Sequence, residues 1–125
     1  MTALENTKVL VIDDTASIRT FLKISMMDHG VDFYEAASAE EGMTLCESES
    51  PEVVILDLGL PDRDGLDILP EIVASAKGDE PKVVVLTVRS DRETRETAYD
   101  RGASAYLTKP FIMDDLIETI EHILH

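Results

Sequence analysis

Tryptophan is absent from this 125-residue chain, cysteine occurs once, and phenylalanine and tyrosine occur three times each. A single cysteine, Cys46, excludes an internal disulfide and suits a reducing compartment. Long apolar runs are also missing. VLVI, VVIL and VVVL are the densest stretches, far below the roughly 18 residues a membrane span requires. The opening MTALENTK lacks the basic start and apolar stretch of a secretion signal, so the expected location is the cytoplasm. Basic residues are scarce: 11 Lys and Arg stand against 26 Asp and Glu, a net charge of −15. That argues against a surface built on phosphate contacts, so neither nucleic acid nor a membrane is an expected partner. The acidic balance names no partner of its own and is accounted for by solubility.

What the chain does contain is a regular alternation of strand and helix. No repeat, low-complexity segment or linker divides it, and residues 1–125 read as one domain. Lys8–Ile12, Val53–Leu56 and Lys82–Leu86 are continuous apolar strands, with weaker ones at Val31–Ala36 and Ser104–Leu107. Ala16–His29 places Ile18, Phe21, Leu22, Ser25 and Met26 on one helical face, with Gly30 as its stop. Ser38-Ala39-Glu40-Glu41 and Ser90-Asp91-Arg92-Glu93 read as capping boxes, the first opening a helix that carries Gly42, Met43, Leu45 and Cys46 inward. The second opens a helix to Arg101 that has little apolar stripe and relies on pairs such as Asp91/Arg95 and Arg92/Glu96. Pro70 inside the helix from Gly65 to Ser75 predicts a kink or a late start. Ile112–Leu124 is the last helix. Apolar strands without polar alternation are buried on both faces, which predicts a doubly wound α/β fold: a parallel sheet of five strands covered by five helices. Ligands of such folds bind at the carboxyl edge of the sheet.

That edge is where the chemistry collects. The first strand runs into two adjacent carboxylates, Asp13 and Asp14, the third ends at Asp57, the fourth at Thr87, and Lys109 follows the fifth. Two unit charges about 4 Å apart repel by roughly 4 kcal/mol at an effective dielectric near 20, so adjacent carboxylates need an offsetting partner. An oxygen-rich site with open positions suits Mg²⁺. A carboxylate nucleophile, a metal and fixed donors are the parts of phosphoryl transfer.

From VLVIDD through DLGLPDRDG and VVVLT to YLTKPF, essentially the whole chain resembles the receiver domain of two-component response regulators. The resemblance implies a CheY-like, flavodoxin-like fold with strand order 2-1-3-4-5. It implies that Asp57 accepts a phosphoryl group, and that Asp14 ligates Mg²⁺ or Mn²⁺ directly, with Asp13 acting mainly through water. The metal set is completed by Asp57 and the backbone carbonyl of Gly59. Lys109 pairs with the phosphoryl group, and its peptide bond to Pro110 is cis. Thr87 and Tyr106 form a switch that alters the 90–124 surface. The implied partners are a sensor histidine kinase or histidine phosphotransfer protein, and an output protein or a C-terminal effector domain. The protein would be its own substrate, with slow autodephosphorylation, rather than an enzyme.

Three departures carry expectations. Gly59 offers no side chain to the approach of water, and Val88, where a smaller residue is common, is expected to crowd the phosphoryl site. The last helix lacks Lys and Arg, which disfavours the dimer that receivers of winged-helix transcription factors form through this face. The chain stops just after that helix, as expected either of a stand-alone receiver or of one cut from a longer protein. A haloacid-dehalogenase-like phosphatase would need its nucleophile in a D-x-D pattern on the first strand, and Asp13-Asp14-Thr15 lacks it. A flavin carrier would need a phosphate cradle that DDTASIR does not offer. A receiver fold kept only for binding should lack part of the site.

Overall fold

The strands and helices below are those of a computed structural model, which describes residues 4–76 and 78–125. The first three residues of MTALENTK therefore lie outside the described residues. β1 (Lys8–Ile12), α1 (Ala16–Met27), β2 (Asp32–Ala36), α2 (Ala39–Glu49) and β3 (Val53–Leu56) make the first half. α3 (Gly65–Ala74), β4 (Lys82–Thr87), α4 (Arg92–Asp100), β5 (Ala105–Thr108) and α5 (Met113–Leu124) make the second. All pairings are parallel, in the order β2-β1-β3-β4-β5.

Between their polar end residues Lys8, Lys82 and Thr87, the central strands are apolar throughout because both faces are covered. Leu10, Leu56 and Val85 face α2, α3 and α4, packing with Cys46, Ile68 and Ala98. Their neighbours Val11, Ile55 and Leu86 face α1 and α5, packing with Leu22, Met26 and Leu116. Fully burying each Leu or Ile side chain contributes about 1.5–3 kcal/mol. This two-sided core holds the strand ends, and so the site, in register. Among the described residues, no helix is long and apolar enough to cross a membrane.

Local differences from expectation have local causes. Phe21 is 48% exposed rather than inward, because it leans edge-on against Phe111 with ring centroids 6.1 Å apart. In the first capping box Ser38 accepts from the Glu41 N–H, but the Glu41 carboxylate reaches Ala37 N, one residue early. Asp62, from the loop after β3, takes the Ala39 and Glu40 N–H groups at 2.8 and 3.0 Å. At α4 the cap is Asp91 rather than Ser90, accepting from both the N–H and the hydroxyl of Thr94. Arg92 pairs with Glu96 at 2.7 Å, while Arg95 lies over the Tyr106 ring.

α3 starts at Gly65 and runs through Pro70, so the late start is not observed. Proline at 70 removes the N–H that would bond the carbonyl of Leu66. Arg101, beyond the end of α4, donates to that carbonyl at 2.9 Å and pairs with Asp67 at 3.1 Å. A guanidinium thus satisfies what the proline leaves open, and ties α4 to the first turn of α3.

Candidate functional site

Backbone hydrogen bonds continue the ladder one residue past the strands, and this fixes where the strand-end side chains start. Asp13 N donates to Ala36 O, Asp57 N to Ile12 O and Lys109 N to Thr87 O, at 2.8–3.0 Å. Asp13, Asp57 and Thr87 are 2%, 9% and 1% exposed, which is rare for polar side chains unless they are paired. The Lys109 ammonium supplies the pairing, at 2.7 Å from Asp13 Oδ2 and 3.2 Å from Asp57 Oδ2. The other Asp13 oxygen accepts from Thr15 N at 2.9 Å, and Asp57 Oδ1 accepts from Gly59 N at 3.3 Å. Arg19 donates to the Asp13 carbonyl at 2.8 Å and pairs with Glu35, so α1 also holds the first strand end.

Asp14 is exposed, yet one oxygen from each of Asp13, Asp14 and Asp57 lies within 4.8 Å of the others. Three carboxylates around one ammonium leave local charge uncompensated. An all-oxygen set of this kind fits a hard divalent cation. For Lys109 itself, burial pulls the ammonium's pKa down. The hydrogen bond to Asp13 and the charges of Asp13 and Asp57 outweigh that, and hold it above the ordinary lysine value.

The other expected residues fall on the same edge with different outcomes. The Lys109–Pro110 peptide is cis. Tyr106 is half-buried, and its hydroxyl donates to the Arg89 carbonyl at 2.7 Å, on the loop that follows Thr87. Burial and the Asp91 charge push its pKa up, against Arg95 and Arg89. Val88, just past the end of β4, is 72% exposed. Burial pushes the Cys46 thiol up to about 11, which keeps it protonated and inert.

Two residues escaped the sequence reading. Arg89 pairs with Asp64 at 3.1 Å, and no periodicity encodes a pairing between two loops. Gly65 marks only a helix start in the sequence pattern, yet a Cβ there would lie 2.7 Å from both Asp57 O and Leu58 Cα. Backbone atoms cannot swing away, so α3 can begin this close to the acidic loop only on glycine. Gly65→Ala should cost about 1–3 kcal/mol, as overpacking does. Chemical denaturation should show this as a lower midpoint with an unchanged slope.

Compared with known proteins, residues 9–121 match the family model described as response regulator receiver domain. The transcriptional regulatory protein PdtaR of Mycobacterium tuberculosis is 42% identical over 115 residues, covering 91% of this chain and 55% of that protein. The KDP operon transcriptional regulatory protein KdpE of Escherichia coli K12 is 34% identical, covering 88% of this chain and 48% of that one. The chain thus spans about half the length of these curated relatives. A CheY-like receiver domain protein from Methanospirillum hungatei superposes with a TM-score of 0.89 at 28% identity, covering 96% of this chain and 94% of that one.

Proposed function

The chain belongs to the family of response regulator receiver domains, and from that membership we propose that Asp57 is its phosphoacceptor. The protein is a receiver of two-component signalling, a class not counted as enzymes. The observation that carries the assignment is the convergence of Asp13, Asp14 and Asp57 on one point, with Lys109 bridging two of them. In the reaction, an Asp57 carboxylate oxygen forms a bond to phosphorus as the phosphorus–nitrogen bond of a phosphohistidine breaks. The leaving imidazole takes up a proton. Asp13, Asp14, Asp57 and the Gly59 carbonyl would hold Mg²⁺ or Mn²⁺, which when bound neutralises charge on the phosphoryl oxygens. Lys109 lies within reach of Asp57 and donates to the phosphoryl group. The Thr87 hydroxyl moves onto a phosphoryl oxygen, and Tyr106, bonded to the loop behind Thr87, follows. The 90–124 surface is then read by an output protein or by an effector domain of the same polypeptide. Such a domain is supported by the longer chains of the relatives. A cytoplasmic setting is supported by the single, buried Cys46.

Incubation with acetyl phosphate tests the assignment. Intact mass should rise by one phosphoryl group with Mg²⁺ and stay unchanged with chelator, and an unrelated phosphate monoester should not be turned over. Labelling that is indifferent to the metal would remove the acidic cluster from the reaction.

The donor must bring its phosphohistidine to this edge of the sheet, beside exposed apolar side chains. Ile112, 66% exposed, follows Lys109 by three residues, and Phe21 stands against Phe111. Removing both Phe21 and Ile112 side chains to Ala should slow transfer from a phosphorylated histidine phosphotransfer domain about ten-fold. That is the loss of roughly 1.4 kcal/mol of apolar burial. Labelling by acetyl phosphate, which needs no docking, should not change. Equal slowing with both donors would mean that the substitutions disturb the site itself.

A further inference from the structure

Arg89 stands between the proposed switch threonine and α4, and each of its polar groups reaches a different element. Its guanidinium makes two contacts to Asp64, Nη2 to Oδ2 at 3.1 Å and Nη1 to Oδ1 at 3.4 Å. Its N–H meets Thr87 Oγ1 at 3.5 Å, and its carbonyl accepts from Tyr106. Asp64 is equally engaged. It caps α3 by accepting from Leu66 N at 2.9 Å, and it forms an antiparallel bridge with Gly59. The Gly59 N–H in turn meets Asp57 Oδ1. The contacts therefore form a path from the Asp57 carboxylate through Gly59, Asp64 and Arg89 to the Thr87 hydroxyl.

We propose that Arg89 is a positioning residue for phosphoryl acceptance, and that it acts through Asp64. The ion pair holds the loop after β4 against the loop after β3, so that the Thr87 hydroxyl and the Asp57 carboxylate are presented together. This rests on Asp57 being the acceptor. A phosphoryl group on Asp57 that is hydrogen-bonded by Thr87 would bridge the same two loops that the ion pair already bridges. Two links that favour one arrangement reinforce each other, and the coupling is reciprocal. A planar, two-pronged guanidinium suits this better than an ammonium, because it fixes direction as well as charge.

The test uses beryllofluoride with Mg²⁺ as the probe, with binding followed by amide NMR. Arg89→Met and Asp64→Asn should each weaken binding about two- to five-fold, the scale of a half-exposed pair. Asparagine keeps the α3 cap, so Asp64→Asn removes the charge alone. The double variant should bind no worse than either single one, and Arg89→Lys should recover part of the loss. Arg101→Met is the control. It breaks the tie between the end of α4 and α3, which involves neither Arg89 nor Asp64, so it should lower the melting temperature and leave binding unchanged. Three results would overturn the inference: binding indifferent to both variants, losses that add, or a loss confined to Arg89→Met. The last would mean that Arg89 meets the anion directly. A parent protein that does not bind beryllofluoride at all would instead overturn the phosphoacceptor reading, and this inference with it.

Discussion

Asp57→Asn will abolish phosphoryl acceptance and, in metal-free buffer, will raise the melting temperature. The first effect follows from the chemistry: the amide has no anionic oxygen to attack phosphorus. Acetyl phosphate with Mg²⁺ should then leave the mass of the variant unchanged. The second follows from the crowding of charge. At separations up to 4.8 Å, each carboxylate pair repels by roughly 3 kcal/mol at an effective dielectric near 20. Asparagine removes two such repulsions from Asp57 and loses one attraction, to Lys109, which keeps its shorter contact with Asp13. A net gain of about 1–2 kcal/mol is expected, or about 3–8 °C for a domain of this size. Mg²⁺ should close the gap, because a cation that binds the folded parent stabilises it by mass action and finds one ligand fewer in the variant. A variant that melts below its parent without metal would mean that the carboxylates are not in conflict, and would weaken the case for a metal among them. The stability withheld here is the cost of a functional site.

Where the sequence was legible, a single residue's surroundings were enough to set its place. β1 and β3 have the bounds the sequence predicts, because burial on both faces selects apolar side chains over Val9–Ile12 and Val53–Leu56. β4 extends one residue further, to Thr87, and β5 is shifted by one from Ser104–Leu107 to Ala105–Thr108, so that Thr87 and Thr108 pair with each other across the sheet. Polar threonines end an apolar run on paper, but a ladder bond from a neighbouring strand continues it. Asp13, Asp57, Thr87 and Lys109 were found because strand ends in a parallel sheet share an edge. What stayed hidden depended on two distant residues at once. The rule for proline predicts an unbonded carbonyl at Leu66, but not that Arg101, 35 residues later, fills it. Asp62 at the start of α2 and Arg89 on Asp64 are hidden for the same reason.

Lys109→Met should have the opposite sign on stability and the same sign on function. The substitution keeps most of the volume and removes the ammonium that bridges Asp13 and Asp57, both nearly buried. Breaking a buried pair by deleting one partner typically costs about 3–5 kcal/mol, so a fall of about 10 °C or more in melting temperature is expected without metal. Mg²⁺ should restore more stability to this variant than to its parent, since charge that the lysine no longer balances is left for the cation. Phosphoryl acceptance should fall about 10²- to 10³-fold, the loss seen when one donor to a developing anion is removed. Arginine at this position should not rescue it, because a planar fork cannot occupy the space between two carboxylates 2.7 and 3.2 Å from one nitrogen. The pH dependence separates this account from simple loss of packing. The folded pKa of Lys109 is held above its unfolded value. Its contribution is therefore complete below the ordinary lysine pKa, near 10.4, and is lost as pH rises through the higher folded value. The parent should lose this increment of stability above that point, and Lys109→Met should lack the same alkaline step. Adding Asp57→Asn to Lys109→Met should return much of the lost stability, because the variant then has neither the ammonium nor the carboxylate it served. Costs that simply add in the double variant would mean that the two side chains do not act as a pair.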